Sequence, residues 1–282
     1  MIEQYLITRQ KLLNHLHDDH YRIIDCRFAL TAPNDGHKAY LSHHIPGSHY
    51  AHLDNDLSSA ITTNSGRHPL PAPDVLAKRF SDWGIDADKQ VVVYDDSSGG
   101  IACRLWWLLR WLGHNAVAVL DGGYPAWQQQ NYPVSTTLPE SKPNEFAARQ
   151  QHNSYVSSHE LQKMLGDHRY RLVDARTPER FRGDCEPIDR KAGHIPGAIN
   201  IPWLSNLDKS GYFLPMEQLK LLYSRSLGDT APHNTIVMCG SGVTACQTIM
   251  AMSYAGFTDT RLYAGSWSEW ITSPNRPIAQ QT

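Results

Sequence analysis

The stretch "TIVMCGSGVTAC", residues 235–246, decides how this chain folds. A β-branched apolar run from Thr235 to Met238 meets a cysteine, two glycines turn the chain, and "VTACQTIMAMSYAG" (243–256) follows with helical character, ended by Gly256. A short apolar run feeding a glycine turn and then a helix reads as a buried parallel strand of an α/β sheet. In such sheets ligands bind beyond the carboxyl ends of strands, where Cys239 falls. Backbone N–H groups of the turn converge on one concavity and attract an anion. A thiolate placed there is stabilised, so the pKa of Cys239 is expected below the free value of about 8.5. Gly240 and Gly242 keep side chains out of the concavity. Cysteine is also used as a small buried hydrophobe, but the C-G-S-G setting at a strand–helix junction favours a sulfur nucleophile or a persulfide.

The same pattern occurs earlier in the chain. "VVVYDDSSGGIAC" (91–103) matches 235–246 with one extra residue, and "IACRLWWLLRWLG" (101–113) reads as a helix ended by Gly113. "RIIDCR" (22–27) returns as "RLVDAR" (171–176), and "HHIPGSHY" (43–50) as "GHIPGAIN" (193–200). "VLDGGYPAW" (119–127) returns as "LYAGSWSEW" (262–270). Four matches in one order mean two copies of one fold, each a parallel sheet flanked by helices. The polar stretch 132–151 carries three prolines and reads as a linker. The division expected is a first domain over 1–135, a linker over 136–151 and a second domain over 152–282. Ser157 and Glu160 are spaced as a capping box that opens the second copy. The first copy has Asp95 or Asp96 where the second has Cys239, so only the second can act as a sulfur nucleophile. Cys103 and Cys246 fall at equivalent helical positions and read as packing residues.

Composition narrows the function classes. With 282 residues, 41% hydrophobic, 19% charged and a net charge of −2, the chain has an ordinary globular balance and no basic surface for nucleic acid or an acidic membrane. No signal peptide or apolar membrane run is visible. Five cysteines without a C-x-x-C pair suggest neither a disulfide framework nor a zinc site, which fits a reducing cytoplasm. The histidines of "HLHDDH" and "SHHIPGSHYAH" lack ligand spacing, so neither a metal nor a cofactor is expected. A cysteine phosphatase would need an arginine six residues after its cysteine; that position is Ala245.

Two HIPG copies with a "CGSGVTA" loop in the second alone resemble the tandem-domain rhodanese sulfurtransferases, over roughly residues 5–272. The loop is similar to that of members that use 3-mercaptopyruvate, whereas thiosulfate-using members typically carry C-R-K-G-V-T. The resemblance implies that Cys239 carries the persulfide, held by the loop Gly240, Ser241, Gly242, Val243 and Thr244. It implies that Ser241 works with His44 and Asp35. It also implies that Arg180 and Arg190 bind the donor carboxylate, with Arg182 able to substitute for the second. Chemistry agrees with those roles. An arginine fork suits a carboxylate, and loss of sulfur from mercaptopyruvate leaves an enolate that needs charge stabilisation and a proton. The expected function is transfer of sulfane sulfur to a thiol such as thioredoxin or glutathione, or to cyanide. Thiosulfate as donor, or a persulfide-carrier module acting for a partner protein, are the alternatives.

Overall fold

Strands buried on both faces explain why the apolar runs do not alternate. In the computed structural model, which describes residues 2–140 and 142–280, every residue of β4 and β8 is buried. The first copy runs β1 (Leu6–Ile7), α1 (Arg9–Leu13), β2 (Tyr21–Asp25), α2 (Asp35–Ser42), β3 (His49–Tyr50), α3 (Pro73–Asp82), β4 (Gln90–Tyr94), α4 (Ala102–Trp111), β5 (Val117–Leu120) and α5 (Gly123–Gln129). Its sheet has the order β1-β5-β4-β2-β3, with all pairs parallel. The second copy runs α6 (Ser158–Met164), β6 (Arg171–Asp174), α7 (Pro178–Arg182), β7 (Ile199–Asn200), α8 (Met216–Leu227), β8 (Thr235–Met238), α9 (Thr244–Tyr254), β9 (Arg261–Leu262) and α10 (Ser266–Trp270). Its order is β7-β6-β8-β9, again parallel throughout. No described helix is long and apolar enough to cross a membrane.

The repeated sequence motifs do the same work in both copies. The D-x-R of "RIIDCR" and "RLVDAR" is a buried ion pair at a strand end, Asp25–Arg27 and Asp174–Arg176, each 2.6 Å. Each arginine also donates to a carbonyl next to its HIPG motif, His43 O at 2.6 Å and Gly193 O at 2.7 Å. Each lies over an aromatic ring, Tyr124 or Trp267. Such a pair, with the arginine also bonded to a carbonyl, ties the strand end to the following loop. Gly113 and Gly256 follow α4 and α9 with φ of +89° and +92°, the left-handed conformation that ends a helix. The Ser157–Glu160 capping box forms.

The compact units are not contiguous in sequence. The first comprises Met1–Ser59, Leu70–Gln151 and Lys209–Phe213; the second comprises Ala60–Pro69, His152–Asp208 and Leu214–Thr282. A division at residues 136–151 does not contain this exchange of the arms 60–69 and 209–213.

The first copy fills its own cradle. Asp95 follows β4 as Cys239 follows β8, and its buried carboxylate accepts hydrogen bonds from Ser97, Gly99, Ile101 and Ala102 N–H at 2.7–2.9 Å. That settles which aspartate stands at the cysteine position. A carboxylate satisfies the converging donors internally. Asp95→Ala orphans four donors at once, at about 1–3 kcal/mol each less what entering water restores. We expect the first unit to lose at least about 3 kcal/mol, read as a lowered urea midpoint; an unchanged midpoint contradicts this role.

Candidate active site

Cys239 sits at the end of β8, 2% exposed, with the N-terminus of the eleven-residue α9 beyond it. Its loop is fixed by backbone bonds. Cys239 N–H donates to Ser266 Oγ at 3.1 Å, Trp267 N–H to Cys239 O at 3.1 Å, and Ser268 N–H to Gly240 O at 2.9 Å. Gly242 N–H donates to Cys239 Sγ at 3.2 Å, a direct backbone contact to the sulfur. Gly242 has φ of +77°, and a Cβ there would lie 2.2 Å from Ala264 O, so glycine is required. Val243 caps α9 and Thr244 is its first residue, which aims the helix's positive end at the sulfur.

Ser241, 7% exposed, stands two residues past the cysteine, and its Oγ is 2.7 Å from Nδ1 of His68. His68 belongs to the arm Ala60–Pro69 that is part of the second unit. The same arm delivers Arg67. Its backbone N–H donates to Ser268 Oγ at 3.1 Å, and its guanidinium pairs with Asp189. A Cβ built on Gly240 would lie 2.9 Å from Arg67 Nη2 and 3.3 Å from Arg180 Nη1. The loop therefore has two cations over it, although its own sequence supplies none.

Carboxylates hold these arginines. Arg180 reaches Glu186 at 2.8 Å and Asp189 at 3.0 Å, and Arg176 reaches Glu186 at 3.3 Å. Burial is the largest single influence on Glu186 and opposes its ionisation. The Arg180 hydrogen bonds and charge, together with the N–H bonds from Asp189 and Ile188, outweigh it and hold the carboxyl below its ordinary value. At Asp189 burial dominates the pull of Arg67 and, with the like charge of Glu186, pushes the carboxyl up.

The other expected residues lie elsewhere. His44 Nδ1 lies 2.8 Å from Tyr40 O and its Nε2 3.0 Å from Thr137 O, all within the first unit. His194, its twin, bonds Phe181 O at 2.8 Å, and each imidazole stacks on the ring beside it, Tyr40 or Phe181. Both histidines thus anchor their HIPG loops, and the imidazole on Ser241 is His68. Asp35 is exposed and pairs with Lys38 at 2.8 Å. Among the described residues Arg190 reaches Ile271 O at 3.5 Å, and Arg182 pairs with Asp184 at the surface. A further sequence echo, "SGRHPLP" (65–71) against "SGYFLP" (210–215), marks the exchanged arms and was the available signal for Arg67 and His68.

A strand-end cysteine held in a backbone cradle, in one of two copies of a parallel α/β fold, marks a site for thiol chemistry. The chain belongs to the rhodanese family: the Rhodanese-like domain model matches residues 8–130 and 157–273. It is 44% identical to a probable 3-mercaptopyruvate sulfurtransferase of Pseudomonas aeruginosa, over 99% of both chains. It is 39% identical to the putative thiosulfate sulfurtransferase SseB of Mycobacterium tuberculosis, over 99% of this chain and 98% of that one. Among solved structures it resembles the 3-mercaptopyruvate enzyme SseA of Escherichia coli, with a TM-score of 0.81 and 29% identity, over 94% of this chain and 100% of that one.

Proposed function

We propose that the chain is a 3-mercaptopyruvate sulfurtransferase that works through a persulfide on Cys239. The observation that carries the donor assignment is the 2.7 Å contact between His68 and Ser241, two residues past Cys239 and next in the loop to Gly240, over which Arg67 and Arg180 lie. The Cys239 thiolate attacks the donor's sulfur, the carbon–sulfur bond breaks, and its electron pair leaves as pyruvate enolate. Ser241 gives the enolate a proton that His68 replenishes, which yields pyruvate. The outer sulfur stays on Cys239, next to the N–H of Gly242. An acceptor thiolate, such as that of thioredoxin or glutathione, or cyanide, then takes the outer sulfur and restores the Cys239 thiolate. Arg67 and Arg180 hold the donor carboxylate as a fork.

Charge balance supports this donor over thiosulfate. The two arginines are already offset by Glu186 and Asp189, which suits a monoanion better than a dianion that departs as sulfite. A charge-assisted hydrogen bond lost is worth about 1.5–3 kcal/mol. We therefore expect kcat/KM for mercaptopyruvate to exceed that for thiosulfate by at least about tenfold. Release of pyruvate from mercaptopyruvate by the pure protein, set against sulfite release from thiosulfate, is the measurement. A preference for thiosulfate would favour the alternative reading, which the Mycobacterium tuberculosis relative's name also carries. Inertness towards both donors would favour a persulfide carrier.

A further inference from the structure

At the amino-terminal edge of the second sheet, opposite the Cys239 end, lies an open groove of about 630 Å³ lined by His168, Arg169, Arg171, Arg225 and the stretch from Ser226 to Ala231. The repeat supplies its counterpart. Matching the strands places Arg22, Ser81 and Gly84 of the first copy where the second has Arg171, Arg225 and Gly228.

In the first copy that groove is filled by an extended stretch of the chain itself. Asn144 N–H donates to Ser81 O at 3.0 Å, and its side-chain amide to Gly84 O at 3.0 Å. Phe146 N–H donates to Ser81 Oγ at 3.1 Å. Arg149 and Gln151 N–H continue along the edge to Leu112 O and Trp111 O, each at 2.8 Å. Two glycine pairs register the difference. A Cβ on Gly84 would meet Lys142 O at 2.8 Å and one on Gly113 would meet Arg149 Cβ at 2.9 Å, whereas Gly228 and Gly256 have nothing within 4 Å among the described residues. Arg22 Nε donates to Gly84 O at 3.1 Å, but the equivalent Arg171 Nε is buried with no hydrogen-bond partner among the described residues.

Charge changes sign between the copies. The first groove has Asp19 and Asp86, and its occupant brings Lys142 and Arg149 against one Glu145. The second has His168 and Thr230 at those two positions and Arg225 in place of Ser81, with Asp229 the one acidic residue on its wall.

We propose that the second groove is a docking site for an extended acidic peptide segment of a partner protein, bound as residues 142–151 are bound in the first. Backbone donors would run along the Arg225–Gly228 edge, and carboxylates would meet Arg171 and Arg225.

The test uses the full-length protein and two fluorescein-labelled peptides: residues 142–151 as they stand, and the same peptide with Lys142→Glu and Arg149→Glu. In fluorescence anisotropy at physiological salt the charge-reversed peptide should bind at least about tenfold more tightly, as several reversed charge contacts allow. Arg225→Ser, the first copy's residue, should remove at least that factor while sulfur transfer to small thiols stays unchanged. Equal binding of both peptides, or binding indifferent to Arg225→Ser, overturns the proposal. Displacement by low-millimolar inorganic phosphate also overturns it, because the groove would then be a small-anion site.

Discussion

Cys239→Ser should abolish sulfur transfer, lowering turnover by at least about four orders of magnitude, as loss of a catalytic nucleophile does. The fold should survive, because the hydrogen bond the sulfur accepts from Gly242 N–H is one a hydroxyl can also accept, and the loop is fixed by Ser266, Trp267 and Ser268. The first copy shows that the cradle tolerates oxygen, since the Asp95 carboxylate fills it. Intact-mass measurement after treatment with mercaptopyruvate should show one added sulfur, about 32 Da, on the parent only. Of the five cysteines, Cys26, Cys103 and Cys246 are buried in packing positions and Cys185 is exposed. A persulfide on the serine variant would move the nucleophile to one of these and end the assignment.

What the sequence disclosed follows from where its physics is local. Strand burial, helix ends, the capping box and the cysteine cradle each depend on residues close together in the chain, so all were legible, and the repeat doubled the signal. The D-x-R motif was visible as a repeat, but its meaning needed Tyr124 and Trp267, about a hundred residues away in sequence, to complete the buried ion pair. The histidine contact on Ser241 was not legible. HIPG histidines are prominent because they recur, yet recurrence in a copy without the cysteine argues for the anchoring that both His44 and His194 perform. His68 has no histidine counterpart, since the second arm carries Phe213 in "SGYFLP", and only the exchange of arms brings it to the loop. The arginines divided in the same way. Arg180 lies on α7 and reaches over Gly240, whereas Arg67 comes from a polar stretch whose one signal is the echo between the two arms.

Removing the His68 imidazole should separate the two donors. With mercaptopyruvate the electron pair of the broken carbon–sulfur bond ends on carbon, and pyruvate forms only when a proton arrives. A positioned acid contributes about 10²–10⁴-fold, so His68→Ala should lower kcat for mercaptopyruvate by at least about a hundredfold. Sulfite leaves thiosulfate without needing a proton, so that reaction should fall much less, and the ratio of the two rates should shift towards thiosulfate. Ser241→Ala should shift it the same way, because the Oγ–Nδ1 contact at 2.7 Å makes the pair one unit, and the double variant should be little worse than either single one. His68 is 4% exposed, so loss of folding must be told apart from loss of chemistry. The donor ratio does this, since a misfolded fraction scales both rates equally, and His68→Asn gives a smaller change in packing. His44→Ala is the control: with its two carbonyl bonds lost it should lower stability but leave the ratio where it was. If His44→Ala changed the ratio and His68→Ala did not, the proton path would run through the HIPG histidine, and the role given to the 60–69 arm would be wrong.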